Sequence, residues 1–168
     1  LINGILAQYP ECAQLPRAGL IHRLDKDTTG VMVIARSAKG LQSLSAQLLA
    51  RDMCRAYTAI VQGVPISGGT VDQPIGRHPV NRLKMAVVNP GSGKPAITDY
   101  QNLGFDEKTG ASLIHCDLHT GRTHQIRVHM LHLGCPILGD PIYAKVARQK
   151  TNTGRLMLHA RRLSFNHP

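Results

Sequence analysis

The 168 residues, 42% of them hydrophobic, suffice for one domain, or one domain with a small appendage, around a sizeable core. Against 10 Asp and Glu stand 20 Lys and Arg, a formal net charge of +10. That excess points to a polyanionic partner such as RNA or DNA, with simple solubility as the competing reading.

In chain order, residues 1–8 fit a short helix and residues 10–16 a loop. Residues 20–24 read as a short strand and residues 25–30 as a polar turn. The apolar, partly β-branched run Val31-Met32-Val33-Ile34-Ala35 predicts a buried strand. Ser37 can cap a following helix that carries Leu41, Leu44 and Leu48 at helical spacing. Residues 55–62 are rich in strand formers, and Gly68-Gly69 then marks a turn. Residues 70–95 hold Arg77, His78, Arg82 and Lys84 among Pro and Gly, a basic loop or hairpin suited to phosphates or simply solvated. Residues 97–103 and 112–118 read as strands. Residues 123–133 read as a helix stopped by Gly134 and followed by Pro136, and residues 156–165 as a last strand. The pattern is α+β rather than strict βαβ alternation, with no dividing linker, repeat or low-complexity segment.

No apolar run reaches the roughly 18 residues that crossing a bilayer requires. The four cysteines, Cys12, Cys54, Cys116 and Cys135, form no C-x-x-C pair and read as reduced thiols. His115 and His119 share a strand face but stand too far apart for one ion. His129 and His132 share a helix face without further ligands, so no metal is expected. The start at Leu1 and the stop at Pro168 read as a piece of a longer protein, and a cytoplasmic location is expected.

Three constellations carry candidate chemistry. In Ile21-His22-Arg23-Leu24-Asp25, Leu24 would pack while Arg23 and Asp25 face the other way. The pattern alone leaves Asp25 open between turn residue and catalyst; Asp27 and Thr28 read as turn residues. In Gly121-Arg122-Thr123-His124-Gln125-Ile126-Arg127-Val128-His129 a helix begins amid donors. It offers either a phosphate corner at Arg122, an inward Arg127 that demands a carboxylate partner, or an exposed basic face. In Arg55-Ala56-Tyr57, an aromatic beside an arginine can stack a nucleobase, or Tyr57 is a core residue.

Together, and in the same order, these three blocks resemble the signature blocks of the RluA-type pseudouridine synthases. Residues 134–143 and 158–165 resemble the two blocks that follow. Gly76-Arg77-His78-Pro79, Lys84-Met85-Ala86-Val87 and Pro16-Arg17-Ala18-Gly19 look most like the branch of that family named for ribosomal large subunit pseudouridine synthase D. The resemblance implies an α+β catalytic domain over residues 1–168, on a mixed, mainly antiparallel sheet with flanking helices. It implies an isomerase that turns specific uridines of large-subunit (23S) rRNA into pseudouridine without cofactor or metal. Alternatives are a related synthase for other rRNA or tRNA uridines, or a non-catalytic RNA-binding module.

By resemblance Asp25 is the catalytic aspartate, Tyr57 lies against the target base, and Arg127 pairs with the aspartate. Arg23 helps flip the uridine, and Leu158 supplies an apolar wall. Arg77, Arg82, Lys84 and Arg122 would hold phosphates, making binding salt-dependent. Full-length members of the branch also carry an N-terminal S4-like RNA-binding domain and an upstream strand with a Lys-Pro pair, neither of which is in this sequence. Thr29 stands where many relatives have serine. A monomer is the expected state, with rRNA or a ribosomal precursor as partner and no membrane.

Overall fold

The structure, a computed structural model, describes residues 1–145, 149 and 151–168. Helix α1 (Ile2–Gln8) and two 3-10 turns (Pro10–Gln14, Pro16–Gly19) lead to strand β1 (Thr29–Gly30) and helix α2 (Ala38–Ala50). Then come β2 (Cys54–Gln62), β3 (Gly68–Asp72), β4 (Ile75–Arg77), β5 (Met85–Val87), β6 (Ile97–Asp106) and β7 (Ala111–Leu118). Helix α3 (Gln125–His132) and β8 (Leu158–Ser164) complete the described elements.

Six strands form one sheet in the order β1-β8-β2-β7-β6-β3. Among the described strands only the β1–β8 pair is parallel. The α+β class and mainly antiparallel sheet therefore stand as expected. The sheet's inner face supplies Tyr57, Ala59, Val61, Ile114, Cys116, Leu158 and Ala160, against which α3 lays Ile126 and Met130. Alternation along β2 makes this possible: one face buries while Thr58, Ile60 and Gln62 are only half-buried. Opposite Tyr57 the β2–β8 register shifts, so Ala56 faces Arg162 and Tyr57 faces Ala160. This bulge re-aims the strand beside the cleft described below.

Helix α2 starts where the capping chemistry says it should, the Ser37 hydroxyl accepting from the Gly40 N–H at 3.1 Å. Helix α3 begins at Gln125, two residues later than expected, because His124 adopts a left-handed φ of 58° at its N-cap. Gly134 (φ 75°) ends that turn of chain, its N–H donating to Leu131 O.

Three expectations are corrected. Residues 20–24 form no strand beyond a single bridge from Leu20 to Ile34. Residues 31–35 are not a buried strand either, and Val31 is exposed. Their N–H groups go elsewhere: Val31 to Ala160 O, Val33 to the His22 ring and Ala35 to Gly19 O. Their side chains divide between two small cores, Met32 and Ile34 joining Leu20 and Cys12 while Val33 joins Leu44 and Met53. Gly68-Gly69 is not a turn but the start of β3, paired with Gln101 and Tyr100.

Candidate active site

A cleft of about 680 Å³ opens over the inner sheet face, between the 21–28 segment, α2, β2 and the corner entering α3. Among the described residues, five arginines line it (Arg17, Arg23, Arg51, Arg55 and Arg122) against one carboxylate, Asp25. Here the net positive charge of the sequence becomes local.

Asp25 reaches the cleft because its neighbours anchor the extended stretch before it. Leu24 packs against the main core. The His22 Nε2 accepts the Val33 N–H at 3.1 Å, which requires a neutral ring. Burial, with help from Arg55, holds the His22 pKa below its ordinary value and keeps it so. The Asp25 carbonyl accepts from the Thr28 N–H at 3.0 Å, closing a turn after the carboxylate. Arg23 is exposed at the cleft's lip. Tyr57 rises from β2, with Leu158 from β8 on the same wall, both buried. Burial pushes the Tyr57 phenol pKa up, Arg55 opposing and Asp25 adding to the rise.

Arg127 lies outside the cleft lining, only 3% exposed. Its Nη1 stands 3.5 Å from Asp25 Oδ2, the outer limit of a hydrogen bond. Its principal partner is Asp140, to which Nε and Nη2 both donate at 2.8 Å. The expected Asp25 pairing is thus the weaker arm of a fork whose two strong bonds go elsewhere. Asp140 also accepts from the Ile142 and Tyr143 N–H groups. Burial works to raise the Asp140 pKa, but the Arg127 bonds and those two N–H groups bring it below the ordinary value. Burial likewise opposes the Arg127 charge, and Asp140 overcomes it, leaving that pKa raised.

The Tyr143 ring lies beneath the guanidinium, 5.1 Å from centroid to Cζ. Its hydroxyl accepts from the Met85 N–H and lies 2.8 Å from His124 Nδ1. With one hydroxyl proton, Tyr143 donates to a neutral His124. Burial lowers the His124 pKa, consistent with that assignment. The chain of contacts thus runs from the cleft floor to the β4–β5 hairpin.

Gln125 fixes the corner before α3. Its Oε1 accepts from Thr120 and the Arg122 N–H, and its Nε2 donates to Ile97 O and Thr98 Oγ1. Arg122 is held by Nε donating to Pro95 O at 2.9 Å, and it lines the cleft. Arg77, Arg82 and Lys84 do not line it. They sit on and between β4 and β5, Arg77 and Arg82 exposed, with Arg77 Nη1 donating to Arg82 O. His129 is fully buried between Thr98 Oγ1 and Gln73 O rather than facing His132 across a metal. Among the described residues no three His, Cys, Asp or Glu side chains are grouped to hold an ion.

Sequence reasoning missed Asp140, Tyr143, His22 and Gln125 as builders of the site. For Asp140 a signal existed: a buried arginine needs a carboxylate, acids are scarce, and Asp140 stands between Gly139 and Pro141 in a block already singled out.

The family model described as RNA pseudouridylate synthase matches residues 6–132, a span that includes Asp25, Tyr57 and Arg127. The ribosomal large subunit pseudouridine synthase D of Nitrosomonas europaea is 45% identical over 100% of this chain and 49% of its own length. That of Pseudomonas aeruginosa is 49% identical over 100% of this chain and 55% of its own. The chain therefore spans about half the length of these relatives. Among solved structures, human RNA pseudouridylate synthase domain containing 1 superposes with a TM-score of 0.78 at 30% identity, covering 88% of this chain and 64% of that one. Human RNA pseudouridylate synthase domain containing 4 gives 0.69 at 34%, over 86% and 65%. A shared fold, a match through most of the chain and nearly half of all positions identical in bacterial relatives agree: this chain belongs to the RNA pseudouridylate synthase family.

Proposed function

We propose that residues 1–168 form the catalytic domain of an RNA pseudouridine synthase that acts on uridines of large-subunit ribosomal RNA. The observation that carries this reading is made among the described residues: a lone carboxylate, Asp25, in a cleft lined by five arginines, with Tyr57 and Leu158 beside it. A polyanion is drawn to such a cleft, yet one acid is kept where it would weaken mere binding. The names of the bacterial relatives supply the large-subunit RNA.

The conversion breaks the bond from ribose C1′ to uracil N1 and forms one from C1′ to C5, moving a proton from C5 to N1. It is redox-neutral and needs no group donor. Asp25 is the group placed to attack sugar or base, or to take a proton. Tyr57 offers a flat buried surface for the base, and Leu158 excludes water beside it. Arg127 acts through Asp25 as a positioning residue, itself fixed by Asp140. A paired uridine must leave its helix to reach this floor, costing a few kcal/mol, and Arg23 at the lip is placed to fill the gap. Arg77, Arg82, Lys84 and Arg122 would hold flanking phosphates.

Mapping pseudouridines in RNA from cells lacking the gene tests this reading. It predicts loss at one or more 23S positions, restored by the full-length protein. Loss confined to other RNAs would reassign the substrate, and no loss anywhere would favour a binding module.

A further inference from the structure

Arg55 is the most buried arginine of the cleft wall, 9% exposed, yet among the described residues it has no ion-pair partner. Among the described residues its Nε, sealed from solvent, has no hydrogen-bond partner, and its Nη2 makes only a 3.4 Å contact with Leu118 O. Leaving a guanidinium desolvated and unpaired is costly, far more so than an exposed one. Arg127, buried comparably, meets two carboxylates.

The wall is shaped around this group. A Cβ at Gly121 would sit 2.6 Å from Arg55 Nη1, so the bare glycine leaves the guanidinium its place. Burial is the main cause that lowers the Arg55 pKa; Tyr57 opposes the fall, and the nearby Arg122 charge adds to it. Two like charges thus converge on a cleft whose one carboxylate, Asp25, is ion-paired to Arg127 and to neither of them.

We propose that Arg55, with Arg122 beside it, binds the phosphate of the very nucleotide whose base rests on Tyr57. This rests on the function proposed above and adds a specific anion site to it. Arg55 and Tyr57 are two residues apart on one face of β2, about 7 Å along the strand. That is the scale of the separation between a pyrimidine ring and its own phosphate. An oxyanion there would pair with the guanidinium through its Nη groups, relieve the repulsion with Arg122 and fix the sugar between wall and Asp25. The 5′- and 3′-phosphates share this chemistry, and experiment distinguishes them.

The full-length protein is titrated with uridine, uridine 5′-monophosphate and uridine 3′-monophosphate, each competing with a labelled oligouridylate. Wild type should favour one monophosphate over uridine by about tenfold or more, the worth of a charge-assisted hydrogen bond. Arg55→Gln should erase most of that preference while uridine binding stays unchanged; Arg55→Lys should keep part of it. If Arg55→Gln does not fold, Gly121→Ala, which pushes on Nη1, should reduce the same ratio. No preference in wild type, or full preference in a folded Arg55→Gln or in Gly121→Ala, overturns the proposal. Pseudouridine formation is scored separately. A phosphate preference without isomerisation would remove the proposed function and leave the anion site, and isomerisation without preference does the reverse.

Discussion

At the scale of the residue, the site depends on how a buried arginine is satisfied. Arg127 is held by Asp140 through two 2.8 Å bonds, and only its remaining nitrogen reaches toward Asp25. Its direction is therefore set from behind. Asp140→Asn would leave Arg127 buried without its strong partner, and we expect a loss of about 3–5 kcal/mol in denaturant unfolding. Arg127→Lys separates positioning from structure. It keeps the charge but loses the planar fork. Turnover on RNA should fall while KM for RNA changes little; a purely structural role would lower the melting temperature and leave the turnover of folded enzyme intact.

At the scale of the element, much of the molecule was legible from local pattern. Helix α2 has its Ser37 cap and leucine spacing, and β2 carries strand formers such as Tyr57, Thr58, Ile60 and Val61. The failures fall where backbone groups find side-chain or long-range partners that no window of sequence contains. Residues 31–35 look like a strand in composition, but His22 and Gly19 take the bonds a neighbouring strand would have taken. Asp25 could be placed only by resemblance, because its location depends on Leu24 meeting a core built mostly from β2, β7 and β8. Asp140 carried a signal in the scarcity of acids, but its pairing with Arg127, thirteen residues earlier, forms only once the chain has turned between them.

The close approach of β1 to β8 gives a test at this scale. Gly30 has φ 117°, and a Cβ there would lie 2.2 Å from Ala160 O. Gly30→Ala should cost several kcal/mol and pull the segment after Asp25 from the sheet. Gly4→Ala, in α1 with nothing within 4 Å, should instead stabilise by about 0.5–1 kcal/mol. Thermal unfolding of the two variants checks both signs together.

At the scale of the whole molecule, three histidines tie separate regions together in neutral form. His22 holds the segment before Asp25, His124 the Tyr143 hydroxyl, and His129 joins α3 to Thr98 and Gln73. Each has a pKa lowered from 6.5, burial being the first cause. The unfolded chain therefore takes up these protons more readily than the folded one. Stability is complete above about pH 6.5 and declines as pH falls from there toward the lowered folded values. Denaturant midpoints between pH 7.5 and pH 5 should show that decline, and a flat profile would contradict neutral buried rings. Of the three, His22 lines the cleft, and the proposed function makes Asp25 there the group that drives the isomerisation. The most direct measurement uses full-length protein and RNA carrying tritium at uridine C5, which is released only when C5 bonds to the sugar. Asp25→Asn should fold, bind RNA with near wild-type affinity and release no tritium above background; release at the wild-type rate would contradict the account.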